Sequence, residues 1–147
     1  MYEVDDPRSR LSTAGGGGTA VSAFGSATYD RYYDSPPRET EEKSRNWYTR
    51  GQNFIVCYSE VEEGAVFERK GQVDEYVLLL HDPEMTATVE ANGEVVEVPG
   101  YSITMIPPGD SRITCTAAGR IVRLVSARAE DLLAKVSNPE KYAGPHP

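Results

Sequence analysis

Two charged residues stand next to features that could place them inside a folded core. Glu75 directly precedes an apolar run at residues 76–80, and Arg112 follows a Pro-Pro-Gly corner at residues 107–109. A carboxylate that its neighbours desolvate can act as a general acid or base. A guanidinium can hold a carboxylate or a phosphate through two hydrogen bonds. Together they would suit a step that needs no redox centre, such as an isomerase, lyase or cyclase reaction.

The rest of the sequence holds few groups that could bind a metal or act as a nucleophile. Cys57 and Cys115 are the only cysteines. Without Cys-x-x-Cys spacing we interpret them as buried, reduced thiols. His81 follows a predicted strand, and His146 lies next to the last residue. The glycine run at residues 15–18 lacks the strand, helix and Lys-Ser/Thr of a phosphate-binding loop. We therefore expect neither a metal nor another cofactor.

Composition and charge argue against several classes of function. The chain has 147 residues, of which 39% are hydrophobic, and a formal net charge of −8. Non-specific nucleic-acid binding and docking on anionic lipid both need a basic surface. No apolar run reaches the roughly 20 residues of a membrane span, and the acidic residues 1–6 are unlike a signal peptide. The sequence predicts a cytoplasmic protein that binds neither nucleic acid nor membrane.

Short strand-like segments separated by turn signals dominate the sequence after residue 53. Asn92-Gly93 is the clearest signal, because both residues of a tight hairpin turn must tolerate a positive φ. Roughly eight strands at short, even spacing predict an all-β antiparallel sandwich or barrel. The predicted strands include residues 54–60, 65–69, 76–80, 86–90, 95–98, 111–116 and 120–126.

The two ends of the chain differ from this β-rich middle. Residues 1–45 are poor in Leu, Ile and Val, which predicts a flexible N-terminal tail in front of a single domain at residues 46–147. Residues 127–137 have helical periodicity and predict a short C-terminal helix. A second interpretation makes the tail an arm whose tyrosines dock on the domain or on a partner subunit. These tyrosines are Tyr29, Tyr32 and Tyr33.

The order of these features resembles the cupin superfamily, the RmlC-like jelly-roll proteins. The resemblance covers about residues 53–126. It implies a small jelly-roll barrel, commonly a homodimer, with any ligand site in the lumen. The matching features are Gly64, Glu75 before an apolar strand, the Asn92-Gly93 hairpin, and Gly100 followed by Pro107-Pro108-Gly109.

The chain departs from the metal-binding members of that family, whose ion is held by a His-x-His pair, a Glu and a later His. Residues 67–73 contain no histidine, and Arg112 stands where the later His would be. A guanidinium is always cationic and has no lone pair to give. The resemblance therefore implies a member without the usual histidine ligands. A metal site would have to use other residues, namely Glu68, Glu75 and His81.

Strand alternation turns this resemblance into a hypothesis about the lumen. If Glu75 faces inward, so do Val77 and Leu79. Glu75 and Arg112 would then either bridge each other across the lumen or contact a ligand, with Arg112 as the clamp and Glu75 as the catalytic acid or base. Further candidates for ligand binding are Arg69, Gln72, Tyr58 and Arg123.

Two functions remain open at this point. The first is a metal-independent cupin that binds a small polar or anionic organic molecule in the lumen, with or without a non-redox isomerase, lyase or cyclase step. The alternative is a non-enzymatic cupin that acts as a ligand sensor or a dimeric assembly module. In both cases we expect a homodimer. The fold alone does not choose between them, because one fold hosts many activities.

Overall fold

Ten β-strands, one 3-10 turn and one short helix make up the computed structural model, which describes residues 29–140. Residues 1–28 and 141–147, which include most of the predicted tail and His146, lie outside the described residues. The strands are β1 (Glu39–Glu41), β2 (Ser44–Arg50), β3 (Phe54–Val61), β4 (Val66–Gln72), β5 (Tyr76–Leu80), β6 (Ala87–Ala91), β7 (Glu94–Val98), β8 (Ser102–Ile106), β9 (Gly109–Cys115) and β10 (Gly119–Ser126).

The strands form two antiparallel sheets. Six strands pair in the order β1-β2-β3-β10-β5-β8, and four pair in the order β4-β9-β6-β7. The strands β3, β5 and β10 alternate buried and more exposed residues, because successive side chains point to opposite faces. The buried faces supply one hydrophobic core. The prediction of an all-β jelly roll is confirmed, with ten strands in place of about eight.

The central hairpin forms as the sequence predicts. β6 and β7 are antiparallel, with Ala91 opposite Glu94. The two turn residues, Asn92 and Gly93, have φ values of 50° and 79°. A two-residue turn of this hand matches the twist of the flanking strands. This prediction is confirmed down to its turn residues.

The domain begins earlier in the chain than the predicted boundary at residue 46. β2 begins at Ser44, so the boundary falls inside a strand. Further upstream, the ring of Tyr32 stacks on that of Tyr58, with centroids 4.6 Å apart. Trp47 Nε1 donates to the carbonyl oxygen of Ser35 at 2.9 Å. Aromatic rings bury large apolar areas, so the described part of the arm packs on the domain.

The C-terminal helix is shorter than predicted. It spans only Glu130–Leu133 and is labelled α1. Beyond it, hydrogen bonds from Lys135 to Leu132 and from Val136 to Leu133 span three residues and tighten the backbone. Leu132 and Val136 are nevertheless buried in the core. No helix within residues 29–140 is long and apolar enough to cross a membrane.

Among the glycines of residues 29–140, Gly100 has the least room for a side chain. A Cβ there would overlap two backbone carbonyl oxygens, those of Asp82 and Pro83. We expect Gly100→Ala to lower the free energy of unfolding by about 1–3 kcal/mol, the usual cost of overpacking. Urea denaturation measures this change.

Gly119→Ala is the matched control, because its Cβ would meet only the flexible side chain of Met85, at 2.9 Å from Sδ. We expect it to cost less than Gly100→Ala. Equal losses in the two variants would contradict this account of Gly100.

Candidate functional site

A guanidinium lies in the interior of the barrel. Ile121, Arg123 and Val125 share the inward face of β10, and Arg123 is only 6% exposed. Burying a charge is costly unless other groups compensate it. The burial of Arg123 therefore needs a physical explanation.

Arg123 has little compensation among residues 29–140. Nη2 donates to Ser59 Oγ at 3.1 Å, and the guanidinium carbon lies 3.9 Å from the centroid of the Phe67 ring. No atom of these residues accepts a hydrogen bond from Nε. Arg123 also has no carboxylate within ion-pairing distance in this part of the chain. A guanidinium has five N–H donors, and only one contact to a protein acceptor is made.

Ser59 connects Arg123 to a chain of buried polar side chains. Ser59 Oγ donates to Asn46 Oδ1 at 2.6 Å, and Asn46 Nδ2 donates to Ser44 Oγ at 3.1 Å. Ser44 Oγ in turn donates to Glu41 Oε2 at 3.3 Å. The carboxylate that ends this chain is three side chains away from Arg123. The chain fixes the orientation of Ser59 but does not neutralise the guanidinium.

Further polar groups of the interior come from the other sheet and from β5. Tyr76 Oη and Ser111 Oγ share a hydrogen bond of 2.9 Å. Gln72 is buried and accepts a hydrogen bond from Arg69 Nε at 2.9 Å. Arg69 also forms two hydrogen bonds to Asp131, at 2.6 and 3.0 Å. Its charge is thus compensated, unlike that of Arg123.

Four ionisable groups near Arg123, two tyrosines and two cysteines, stay protonated at neutral pH. Burial raises the pKa of Tyr48, Tyr76 and Cys57, and it raises the pKa of Cys115 to about 11. The positive charge of Arg123 lowers each of these four pKa values, but burial outweighs it. None of the four therefore acts as a base or supplies a counter-charge at pH 7.

Two expectations about the lumen are wrong. Glu75 is exposed, because Tyr76, Leu78 and Leu80 take the inward positions of β5. Arg112 is also exposed and pairs with Glu68 on the neighbouring strand. The two residues do not face each other across the lumen.

Tyr58 also lies away from the lumen. It points outward from β3 and stacks under Tyr32. The corrections for Glu75, Arg112 and Tyr58 have one cause. Side chains alternate along a strand, so a shift of one residue moves a side chain to the opposite face of a sheet.

Three of the six predicted site residues, Gln72, Arg69 and Arg123, do contribute to the interior or its border. Their role in ligand binding stays a prediction. Sequence reasoning missed Ser59, Phe67, Tyr76 and Ser111, which reach the same interior. A signal was present in β10, where Arg123 interrupts the alternating apolar residues Ile121 and Val125.

The C-terminal segment is tied to the rest of the barrel next to Tyr48. Glu39 accepts hydrogen bonds from Tyr48 Oη and from Lys135 Nζ, both at 2.6 Å. Arg38 Nε donates to the carbonyl oxygen of Lys135 at 3.1 Å. Burial alone would raise the pKa of Glu39, but the hydrogen bonds from Lys135 and Tyr48 together lower it. We call this arrangement of Glu39, Tyr48 and Lys135 the Glu39 clasp.

The likeness of its fold to solved structures defines the class of protein: the chain has the cupin fold of the RmlC-like type. KdgF from Halomonas sp. superposes with a TM-score of 0.59 at 13% identity, over 71% of this chain and 98% of that one. An RmlC-like cupin from Shewanella frigidimarina gives a TM-score of 0.60 at 13% identity, over 72% and 96%.

A more distant structure has the same fold within a longer protein. The salicylate 1,2-dioxygenase from Pseudaminobacter salicylatoxidans gives a TM-score of 0.53 at 11% identity, over 69% of this chain and 31% of its own. No family model matches the chain, and no curated protein matches it. At these identities the likeness extends to the fold and no further.

The interior does not fit the transition metal that many cupins hold. Such an ion needs imidazole, thiolate or several carboxylates that converge. Within residues 29–140, no three His, Cys, Asp or Glu side chains come together in this way. The buried charge there belongs instead to Arg123, which cannot donate a lone pair.

The Glu39 clasp predicts how stability depends on pH. Because the folded-state pKa of Glu39 lies below its ordinary value of 4.5, the ionised carboxylate stabilises the fold above that pH. This contribution disappears as the pH falls through the lower, folded-state pKa. We expect Glu39→Gln to lower the free energy of unfolding by about 0.5–1 kcal/mol at neutral pH, a value reduced by partial exposure. Urea denaturation at neutral and at acidic pH measures the difference.

The difference between Glu39→Gln and wild type should vanish in acid, where both side chains are uncharged. Glu62→Gln is the control, since Glu62 is exposed and its side chain makes no ion pair within residues 29–140. A loss for Glu39→Gln that stays the same at every pH would contradict the ionic role of the clasp.

Proposed function

We propose that this protein binds a small organic anion in the barrel interior, with Arg123 as the main cationic contact and without a metal. The observation that carries the proposal is the buried guanidinium whose Nε meets no acceptor, and whose Nη2 donates to Ser59, within residues 29–140. A carboxylate would supply both the missing acceptors and the missing charge, since it matches the planar donor geometry of arginine.

The surroundings of Arg123 favour an organic ligand with both polar and apolar parts. Phe67 covers one face of the guanidinium, and the hydroxyls of Tyr76 and Ser111, which bond each other, are further polar groups of the interior. Binding sites of this kind combine apolar walls with a few placed polar groups. A bare inorganic anion would leave the apolar wall unused.

Binding is better supported than catalysis. A general base must have a pKa near the working pH, and burial moves the pKa values of the interior tyrosines and cysteines upward. Glu75, the residue that the sequence suggests as the catalytic acid or base, lies on the outside. We therefore favour a ligand-binding or sensing role over an isomerase, lyase or cyclase step.

Calorimetric titration with a panel of small organic anions (acetate, succinate, citrate and benzoate) tests this proposal. We expect wild type to bind at least one of them and Arg123→Met to weaken that binding by at least about tenfold, as loss of a desolvated charge contact does. Methionine has a similar length and no charge to bury. Without ligand, the variant should therefore be at least as stable as wild type.

Arg112→Met is the matched control, because it removes the same charge from an exposed position. We expect its affinity to stay within about twofold of wild type, since exposed pairs contribute little. Equal weakening in the two variants, or unchanged binding in Arg123→Met, would overturn the role of Arg123.

A further inference from the structure

A second guanidinium lies at the border of the interior that holds Arg123. Phe67 and Arg69 are two residues apart on β4, so their side chains leave the same face of the strand, about 6.6 Å apart at roughly 3.3 Å per residue. Phe67 is buried and covers Arg123, and only 14% of the Arg69 side chain is exposed. Two arginines, one from each sheet, therefore have Phe67 as a common neighbour.

The charges of these two arginines act on the same interior groups. Arg69 lies directly opposite Ser111 on β9, whose hydroxyl shares a hydrogen bond with Tyr76. Burial raises the pKa of Tyr76 and of Cys57, and the positive charges of Arg123 and Arg69 both oppose this rise. Because the interaction between charges weakens with distance, both guanidinium groups lie close to the space around Tyr76 and Cys57.

Unlike Arg123, Arg69 already has a carboxylate partner. Asp131 on α1 accepts hydrogen bonds from Nη1 at 2.6 Å and from Nη2 at 3.0 Å, which is the two-bond geometry that a bound organic acid would use. Nε donates to the buried Gln72. The hydrogen bonds from Arg69 lower the pKa of Asp131, so this carboxyl group is ionised at neutral pH. The charge and the forked donors of Arg69 are therefore already taken.

We propose that the ligand of the interior carries a single carboxylate, and that Asp131 enforces this by occupying Arg69; the inference rests on the function proposed above. Arg123 and Arg69 supply two positive charges and Asp131 one negative charge, so one further negative charge balances the three residues. The second carboxylate of a dicarboxylate would find both guanidinium groups taken. Burying it unpaired is costly, and rejection of this kind is a common source of specificity. The ligand class is thus a monocarboxylate with an apolar body that Phe67 can contact.

Calorimetric titration with acids of matched chain length tests this inference. The pairs are butyrate with succinate, pentanoate with glutarate, and hexanoate with adipate. We expect wild type to bind the monocarboxylate of at least one pair at least about tenfold more tightly than its dicarboxylate, because the second charge is buried without a partner. Asp131→Asn should reduce this ratio at least about fivefold, since it frees Arg69 for the second carboxylate.

Glu130→Gln is the matched control. Glu130 precedes Asp131 on α1, is exposed, and makes no ion pair within residues 29–140. The variant removes the same charge from the protein without freeing Arg69, so we expect it to keep the wild-type ratio within about twofold. An equal change of the ratio in the two variants would overturn the role of Asp131, because the net charge of the protein would then exclude dicarboxylates.

Arg69→Met in the Asp131→Asn background identifies the group that the second carboxylate would use. We expect the affinity for the dicarboxylate that Asp131→Asn gains to fall again, at least about fivefold, because the cationic partner is gone. A gain that persists without Arg69 would contradict the proposal.

The same titrations separate this inference from the proposed function. Monocarboxylates and dicarboxylates that bind wild type equally well, and that Arg123→Met weakens alike, would overturn the single-carboxylate ligand and leave the role of Arg123 standing. If none of the six acids binds in a way that depends on Arg123, the proposed function and this inference both fall.

Discussion

The buried guanidinium of Arg123 is the constraint on which the interior of this barrel depends. An apolar residue at the same point of β10 would pack between Ile121 and Val125 without any desolvation cost. The chain instead places a permanent charge there, with one hydrogen bond to Ser59 and one aromatic face from Phe67. Because this compensation is incomplete, a ligand that brings a negative charge would supply the stabilisation that the proposed function requires.

The rest of the architecture encloses this interior and fixes it. The two sheets enclose Arg123, and Asn46 and Ser44 orient Ser59, its one hydrogen-bond partner within residues 29–140. The Glu39 clasp and the pair between Arg69 and Asp131 tie the C-terminal segment to the barrel. Low local polarity strengthens every charge interaction inside the barrel. The packing that makes the burial of the Arg123 charge unfavourable would therefore also strengthen its attraction to a bound anion.

Much of the fold could be predicted from the sequence, because its signals are local. The Asn92-Gly93 turn, the apolar run of β5 and the short strands indicate an antiparallel sandwich or barrel without reference to distant contacts. Which side of a strand faces the core is not set by local signals, because it depends on how that strand packs in the whole fold. Glu75 and Arg112 lie next to buried residues, but a difference of one position turns them to the surface. The burial of Arg123 was visible as a break in an alternating apolar strand, whereas its contact with Phe67 depends on how the two sheets pack. The docking of Tyr32 on Tyr58 likewise joins segments that no periodicity connects.

The most direct test of this account is the NMR signal of the Arg123 side-chain Nε–H group, assigned by its loss in Arg123→Lys. We expect it to shift and to exchange more slowly with water when a binding carboxylate is added, while the signals of exposed arginines such as Arg112 and Arg120 stay in place. A carboxylate that binds with the Arg123 signal unchanged, or that shifts only the exposed arginines, would contradict the central claim.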